Sequence, residues 1–159
     1  PMASEWKRRG FRHVANLWAP FLAAGVHVTR VAPGFAAIDV ELRMRPWNRN
    51  YVGTHFGGSL FAMADPFFMI MLIEQLGPRY VVWDKSAAIR FRKPGRGTVR
   101  ARFEIPPERL DAIRAAADRD GRTEATFTVE IRDAKGDVVA EVDKVISVRR
   151  KDAPRGAER

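Results

Sequence analysis

The sequence contains no cysteine and only three histidines in 159 residues. The absence of cysteine excludes disulfide bonds, thiolate nucleophiles and cysteine-ligated zinc or iron–sulfur sites. The histidines His13, His27 and His55 are too few for a multi-histidine centre, so no metal site is expected. No apolar stretch followed by a small-residue cleavage site lies near the start of the sequence, and cysteine is absent, so we expect a cytoplasmic location.

Positive charge is in excess, but most of the excess lies at the two ends of the sequence. The formal net charge is +9, and residues 1–13 and 149–159 each carry +3. Basic ends without interleaved aromatic residues are more often solvated tails than readers of nucleic acid, so no nucleic-acid partner is expected. The length and the 46% hydrophobic content indicate one globular domain.

The pattern along the chain divides it into three parts. Residues 1–25 are expected to form a helical segment, broken at Pro20, whose apolar residues pack on a sheet. Residues 26–149 form the main domain, and residues 150–159 form a basic, flexible tail. The apolar residues expected to pack on the sheet include Trp6, Val14, Leu17, Trp18, Phe21 and Leu22.

Alternating apolar and polar residues predict six strands around one apolar helix. The helix at 59–76 is apolar on nearly every side, but Asp65, Pro66 and Glu74 interrupt the run of roughly 20 apolar residues that a bilayer span needs, so no membrane span is expected. The pattern predicts an α+β fold, an antiparallel sheet wrapped around one long central helix with an N-terminal helical segment. Strands are expected at 26–31, 35–45, 80–91, 97–105, 122–132 and 138–149.

Asp65 is a carboxylate in the most apolar segment of the chain. Burial of an unpaired carboxylate is unfavourable, so we expect Asp65 to be paired, protonated or at the wall of a cavity. One interpretation is a hydrogen-bonded core aspartate at a helix kink, because Pro66 lacks the N–H that would bond to the carbonyl of Ala62. The other interpretation is a general base or nucleophile whose reactivity is tuned by burial. The sequence leaves both open.

Gly57 and Gly58 precede the same helix, where unpaired backbone N–H groups can bind an oxyanion. A flexible helix start would have the same composition, so the pair alone is weak evidence. Eight residues separate Gly57 from Asp65, which corresponds to about 12 Å along a helix. Catalysis by both residues therefore predicts a homodimer, in which Asp65 of one subunit lies near Gly57 of the other.

The segment from Asn50 to Gly58, followed by Ala64-Asp65, resembles the N-x-x-G-T-x-H-G-G…D signature of hotdog-fold acyl-CoA thioesterases of the PaaI-like type. The W-D-K block and the F-x-x-P-G-x-G block further along are similar to those of an uncharacterised hotdog subgroup, a domain of unknown function. The resemblance covers roughly residues 26–149. It implies hydrolysis of an acyl or aromatic-acyl thioester of coenzyme A, with no other cofactor, by a homodimer or a dimer of dimers.

Residue roles follow from the resemblance by position. It implies that the Gly57 N–H polarises the thioester carbonyl, that Asp65 attacks it or activates a water, and that Asn50 orients water or substrate. Two departures from the family pattern are Phe56, where the family has histidine, and Pro66. These departures favour the alternative of a non-catalytic hotdog module that binds an acyl-CoA or a lipid-like ligand. The residues expected to contact the substrate or to support the catalytic groups are His55, Phe56, Gly58, Asp84, Tyr51 and Trp47.

Coenzyme A carries three phosphate groups, so its binding requires cations beside the pocket. A dense cationic stretch begins at the end of the predicted strand at 80–91 and continues past the proline-glycine turn that follows it. An ordinary charged outer face of a sheet would have a similar composition. The residues expected to bind the phosphates are Arg90, Arg92, Lys93 and Arg96.

Overall fold

The computed structural model describes residues 5–153, which form five helices and one six-stranded sheet. Of the basic, flexible tail expected at 150–159, Arg150 is instead the last residue of a strand, and residues 154–159 lie outside the described range. The helices are α1 (Glu5–Leu17), α2 (Ala19–Ala24), α3 (Gly57–Ala62), α4 (Phe67–Leu76) and α5 (Pro107–Asp120). The strands are β1 (Val26–Val31), β2 (Ala37–Leu42), β3 (Tyr80–Phe91), β4 (Val99–Glu104), β5 (Arg122–Arg132) and β6 (Val138–Arg150).

The sheet is antiparallel throughout and has the strand order β1-β2-β4-β5-β6-β3. Its inner face follows the alternation of the sequence, most clearly in β4 and β5, where every second residue is buried. The predicted α+β class, with six strands around a central helical segment, is confirmed. β1 and β3 are the two edge strands, so each has an outer edge that another element must cover or leave open.

The core lies between α4 and the inner face of the sheet. Phe67 and Phe68 of α4 both pack against Phe103 of β4, with ring centroids 4.9 and 5.2 Å apart. Phe68 also stacks on Phe127 of β5 at 4.6 Å. Aromatic side chains bury large apolar areas, so these ring contacts fix α4 on the sheet.

The central helical segment is broken where the sequence places its proline. α3 ends at Ala62, residues 63–66 are not helical, and α4 begins at Phe67. Pro66 cannot donate a backbone hydrogen bond, which explains the break. By length and composition, 57–76 could span a membrane, with a mean hydropathy of 1.4, but half of that window is buried inside the protein. A core helix of a water-soluble fold has the same properties.

The prediction for the N-terminal helices is wrong in two respects. The break falls at Trp18, and Pro20 lies in the first turn of α2, where proline is tolerated. Trp6, Val14 and Leu17 face outward and are each at least 71% exposed. The inner face of α1 carries polar side chains. This helix lies on the open edge of β1, where the backbone groups of the strand have no partner strand among the described residues and bond to these side chains instead. Arg8 donates to the Val31 carbonyl and Arg12 to the Thr29 carbonyl. Asn16 donates from Nδ2 to the Val28 carbonyl and accepts at Oδ1 from the Val28 N–H.

Candidate active site

Asn50 organises the loop between β2 and α3. Its Oδ1 accepts hydrogen bonds from the backbone N–H groups of Val52 and Thr54, at 3.2 and 2.9 Å. Its Nδ2 donates to Thr54 Oγ1 at 2.7 Å and to the His55 carbonyl at 3.2 Å. All of these bonds lie within the loop. Tyr51, at the tip of this turn, is fully exposed. The side chain of Asn50 therefore shapes the chain that leads into α3.

His55 is buried and ties the loop to the turn between β3 and β4. Its Nε2 lies 2.7 Å from the carbonyl of Gly97, and its backbone N–H donates to the carbonyl of Gly95 at 2.9 Å. A carbonyl only accepts, so Nε2 carries the proton. Burial lowers the pKa of His55, and the bond to Gly97 opposes this shift to a lesser extent. His55 is therefore neutral at neutral pH, and its ring bonds to the turn between β3 and β4.

The N-terminus of α3 presents two glycines to the surface. The N–H groups of Gly57 and Gly58 have no backbone acceptor among residues 5–153, as is normal in the first turn of a helix. A Cβ at Gly57 would lie 2.9 Å from Cζ of Phe91, and one at Gly58 would lie 2.3 Å from Cε1 of Phe56. Both rings thus lie directly over the start of the helix, and each ring would have to shift to make room for a Cβ.

Asp65 is not buried, contrary to expectation from its apolar surroundings in the sequence. Its side chain is 51% exposed, on the break between α3 and α4. The buried charge is instead Lys144 of β6, whose side chain is 1% exposed. Lys144 Nζ lies 2.9 Å from Asp65 Oδ1 and 3.1 Å from Asp84 Oδ2. The structure therefore brings both predicted carboxylates together around a lysine that the sequence analysis did not identify.

Asp84 is the more enclosed of the two carboxylates. Its Oδ2 accepts from Lys144, while its Oδ1 is buried without a partner among the described residues. Burial raises the pKa of Asp84, and the nearby charge of Asp65 adds to this, whereas Lys144 lowers it. Asp84 lies just before a β-bulge in β3, because the pairing with β6 shifts between Asp84 and Ser86. The bulge leaves Ala87 opposite Lys144.

A cleft of about 370 Å³ opens beside the start of α3. Trp47 and Phe56 are exposed at this cleft, and Asn48 is buried in its wall. Asn48 donates from Nδ2 to the carbonyls of Ala24 and Arg43, both at 2.8 Å, and so joins the loop to the end of α2. The lining residues are Ala23, Ala24, Trp47, Asn48, Arg49, Phe56, Gly58 and Ser59.

Three of the four cations expected to bind phosphate have carboxylate partners. Arg90 pairs with Glu141 and with Asp143, at 3.3 and 2.6 Å, and Arg92 also pairs with Glu141, at 2.6 Å. Lys93 pairs with Asp133 and Asp137, each at 2.6 Å. Arg96 has no carboxylate partner within residues 5–153, and its Nη1 donates to the carbonyl of Gly53 at 3.0 Å. Arg96 therefore lies beside the loop that Asn50 organises.

The edge strand β3 leaves apolar surface uncovered beside the site. Phe91 is 57% exposed, and Ala87 is exposed as well. Both pair with inward-facing residues of β6, Ala140 and Lys144, so they lie on the inner face of the sheet. Apolar residues on an inner face are normally covered. The outer edge of β3 has no partner strand within the described part of the chain.

Two residues of the site could have been found from the sequence. Lys144 occupies an inward position in the alternation Val142, Lys144, Ile146, Val148, where an apolar residue is expected. Phe91 ends a predicted strand directly before the proline-glycine turn. No group of three or more histidine, aspartate or glutamate residues that could hold a metal ion occurs within residues 5–153.

A family model described as "Domain of unknown function (DUF4442)" matches residues 7–148. No curated protein sequence matches the chain. The family match agrees with the resemblance to a hotdog subgroup described as a domain of unknown function.

Solved structures share the fold at low sequence identity. PA5026 of Pseudomonas aeruginosa, a protein of unknown function described as a probable thioesterase, has a TM-score of 0.79 at 23% identity, over 89% of this chain and 95% of that one. The thioesterase HI1161 of Haemophilus influenzae has a TM-score of 0.68 at 11% identity, over 98% and 99% of the two chains. The PaaI protein of the E. coli phenylacetic acid degradation operon has a TM-score of 0.61 at 17% identity, over 91% of each. The hotdog fold and the resemblance to the PaaI-like group are thereby confirmed.

Proposed function

Because the chain belongs to the DUF4442 family and has the hotdog fold, we propose that it is a thioesterase that hydrolyses acyl-CoA or aromatic-acyl-CoA to the free acid and coenzyme A. The observation that carries the proposal is the half-exposed carboxylate of Asp65, which lies in the same helical segment as Gly57. Buried Lys144 of β6 holds this carboxylate. The structural relatives described as thioesterases support the reaction class.

The reaction needs a base or nucleophile and an oxyanion donor. As a base, Asp65 takes a proton from a water whose oxygen bonds to the thioester carbon, and the Gly57 N–H donates to the developing oxyanion. The carbon–sulfur bond then breaks, Asp65 returns the proton to the leaving thiolate, and the acid releases the other water proton to solvent. As a nucleophile, Asp65 bonds to the carbon itself and the carbon–sulfur bond breaks, so that the coenzyme A thiolate leaves and takes a proton from solvent. Water then hydrolyses the resulting mixed anhydride to the free acid and the Asp65 carboxylate. Both routes use the same two groups.

The site in this proposal is shared between two copies of the chain. Gly57 begins α3 and Asp65 follows its end, so the two groups of one chain are held apart by the helix. The open edge of β3 and the exposed Phe91 beside Gly57 offer a surface that a second copy would cover. A two-fold axis beside β3 would place Asp65 of one subunit opposite Gly57 of the other and create two equivalent sites.

Substrate binding in this proposal uses the cleft and the adjacent loop. Trp47 and Phe56 provide apolar surface for the acyl group at the mouth of the cleft. Arg96 is the leading cation for the coenzyme A phosphates, because it lacks the carboxylate partners that neutralise Arg90, Arg92 and Lys93.

The first experiment measures thiol release from a panel of short, long and aromatic acyl-CoAs by the wild type and by Asp65→Asn. The variant keeps the shape of the side chain and removes its basicity, so turnover should fall by about 100-fold or more. Full activity of Asp65→Asn would refute the role of Asp65. If the wild type turns over no thioester but is thermally stabilised by an acyl-CoA, the protein is the non-catalytic binding module that Phe56 in place of histidine favours.

A second experiment tests the oxyanion donor and the shared site together. Gly57→Pro removes the N–H at the first position of α3, where proline fits a helix and the extended Phe56 (ψ 130°) can precede it. Gly57→Ala is the matched control, because it adds a Cβ against Phe91 but keeps the N–H. We expect turnover by Gly57→Pro to fall about 100-fold below that of Gly57→Ala.

Subunit mixing then distinguishes a shared site from a site within one chain. Asp65→Asn and Gly57→Pro subunits, refolded together in equal amounts, form heterodimers with one intact site and one doubly defective site. Random pairing should restore about one quarter of wild-type turnover. A mixture as inactive as its two components would refute the shared site.

A further inference from the structure

Lys144 is an unusual residue for its position in the sheet. It lies on β6 between Val142 and Ile146, both fully buried, and its own side chain is 1% exposed. A buried ammonium is unfavourable unless it is paired. Two carboxylates supply the pairing, Asp65 at 2.9 Å and Asp84 at 3.1 Å, and they approach from the helix break and from the edge strand respectively.

Stability does not explain this arrangement. Replacing a buried ion pair by apolar residues of similar volume is often neutral or stabilising, and the alternation of β6 offers an apolar position here. Asp65 is half exposed and would be solvated without a partner. Within the single chain, Asp65 therefore does not need Lys144 to relieve a buried charge, and what the lysine contributes there is a fixed position for the carboxylate.

The backbone around Asp65 does not hold its side chain in a helical position. Residues 63–66 are outside both helices, and the N–H of Asp65 bonds only weakly to the Ala62 carbonyl, at 3.4 Å. Lys144 is the single side chain within residues 5–153 that bonds to the Asp65 carboxylate. The orientation of the carboxylate consequently depends on the ammonium.

We propose that Lys144 is a positioning residue that holds one oxygen of the Asp65 carboxylate and thereby aims the other at the thioester or at the attacking water. Asp84 anchors the ammonium from the opposite side, on a strand that is fixed to β6 by backbone pairing. The proposal rests on the proposed function, because it assigns Lys144 a role in the same reaction.

Chemical restoration of the ammonium tests the proposal. The chain has no cysteine, so Lys144→Cys introduces a single thiol that can be alkylated in the unfolded protein before refolding. Reaction with 2-bromoethylamine rebuilds an ammonium on a side chain with as many atoms as lysine. Reaction with 2-iodoethanol gives a neutral side chain of the same length as the matched control. Wild-type protein taken through the same unfolding and refolding is the reference.

We expect the two alkylated forms to differ in kcat. The hydroxyethyl form should have kcat reduced about 100-fold with KM changed less than threefold, since a misplaced catalytic group loses about this much. The aminoethyl form should recover at least one tenth of wild-type kcat. Equal kcat in the two alkylated forms, whether high or low, would overturn the proposal, because the charge would then make no difference. If the alkylated forms do not refold, Lys144→Met takes the place of the neutral hydroxyethyl form. Its kcat should again fall about 100-fold while KM changes less than threefold.

A crystal structure of Lys144→Met separates this inference from the proposed function, because it requires no turnover. The expected outcome is an Asp65 carboxylate displaced or spread over several orientations. An Asp65 carboxylate that keeps its wild-type orientation would overturn the positioning role even if the wild type is an active thioesterase. An inactive wild type with a displaced carboxylate in the variant would instead refute the function and leave the structural dependence of Asp65 on Lys144 intact.

Discussion

Removal of the buried ammonium should destabilise the protein in a manner that depends on pH. In Lys144→Met, a side chain of similar length replaces the lysine, and Asp84 loses its only side-chain partner among the described residues while its Oδ1 stays buried. Leaving a charged carboxylate unpaired in a largely buried site costs about 2 kcal/mol. This figure is below that for a fully buried ion pair, because Asp84 is partly exposed. We therefore expect the free energy of unfolding to fall by about 2 kcal/mol at neutral pH.

The sign of the pH dependence follows from the pKa of Asp84. Burial already raises this pKa in the wild type, and Lys144 opposes the shift, so loss of the lysine raises it further. A group with a raised pKa in the folded state contributes stability below its unfolded pKa and loses that contribution as pH rises through the folded pKa. The deficit of Lys144→Met relative to the wild type should thus be largest at neutral pH and should shrink as the solution approaches the ordinary aspartate pKa.

Urea unfolding, followed by tryptophan fluorescence at fixed protein concentration, measures the deficit at about pH 7 and about pH 4.5. Lys144→Met with Asp84→Asn should recover more than half of the deficit at neutral pH, because the second change removes the stranded charge. Lys85→Met is the matched control, since Lys85 is an exposed neighbour paired with Glu124 on the surface, and it should change stability by less than about 0.5 kcal/mol. A deficit of the same size at both pH values, not relieved by Asp84→Asn, would refute the charge argument and indicate a packing defect.

Two further predictions concern the loop and the coenzyme. Asn50→Ala removes the four hydrogen bonds that the side chain makes within the loop, and thermal unfolding should show a loss of about 1–2 kcal/mol; a drop in kcat with unchanged stability would instead favour the role in orienting water or substrate. Arg96→Ala should raise KM for an acyl-CoA about tenfold, and KM for the corresponding acyl-pantetheine less than twofold, by steady-state kinetics. Arg92→Ala, which removes a residue already paired with Glu141, is the control for Arg96→Ala, and equal effects of the two variants would contradict the assignment of Arg96.

The sheet was predictable because strand alternation depends only on which face is buried. The predicted and observed strands agree to within a few residues, and the largest differences, at the ends of β2, fall in turns where the alternation continues without pairing. The N-terminal helices were not predictable from apolar spacing alone, because α1 lies along an open strand edge, where polar side chains bond to the backbone beside the apolar contacts of Phe11 and Ala15. Arg8, Arg12 and Asn16 are four residues apart, and this spacing matches the face of α1 that meets β1 in the structure.

The candidate site was predictable only in part, because its charge balance joins residues that are distant in sequence. Asp65 and Asp84 could be selected individually, but their common partner Lys144 lies 79 residues from Asp65. The cationic stretch was identified by its density, whereas its pairing depends on acidic residues of β6 and of the turn between β5 and β6. Local composition indicates where charges occur, and only the fold determines which of them neutralise one another.

The exposed state of Asp65 and the exposed inner face of β3 have a common physical explanation. A carboxylate in a dry core would be costly, and apolar residues on an open inner face are normally covered. A second copy of the chain across β3 would cover Ala87 and Phe91 and would enclose the exposed side of Asp65, while Lys144 supplies the compensating charge that makes such enclosure tolerable. The ammonium is already buried in the single chain. In the proposed dimer, the pairing that the carboxylate needs would therefore be present before the two chains associate, which is the condition for a preorganised site.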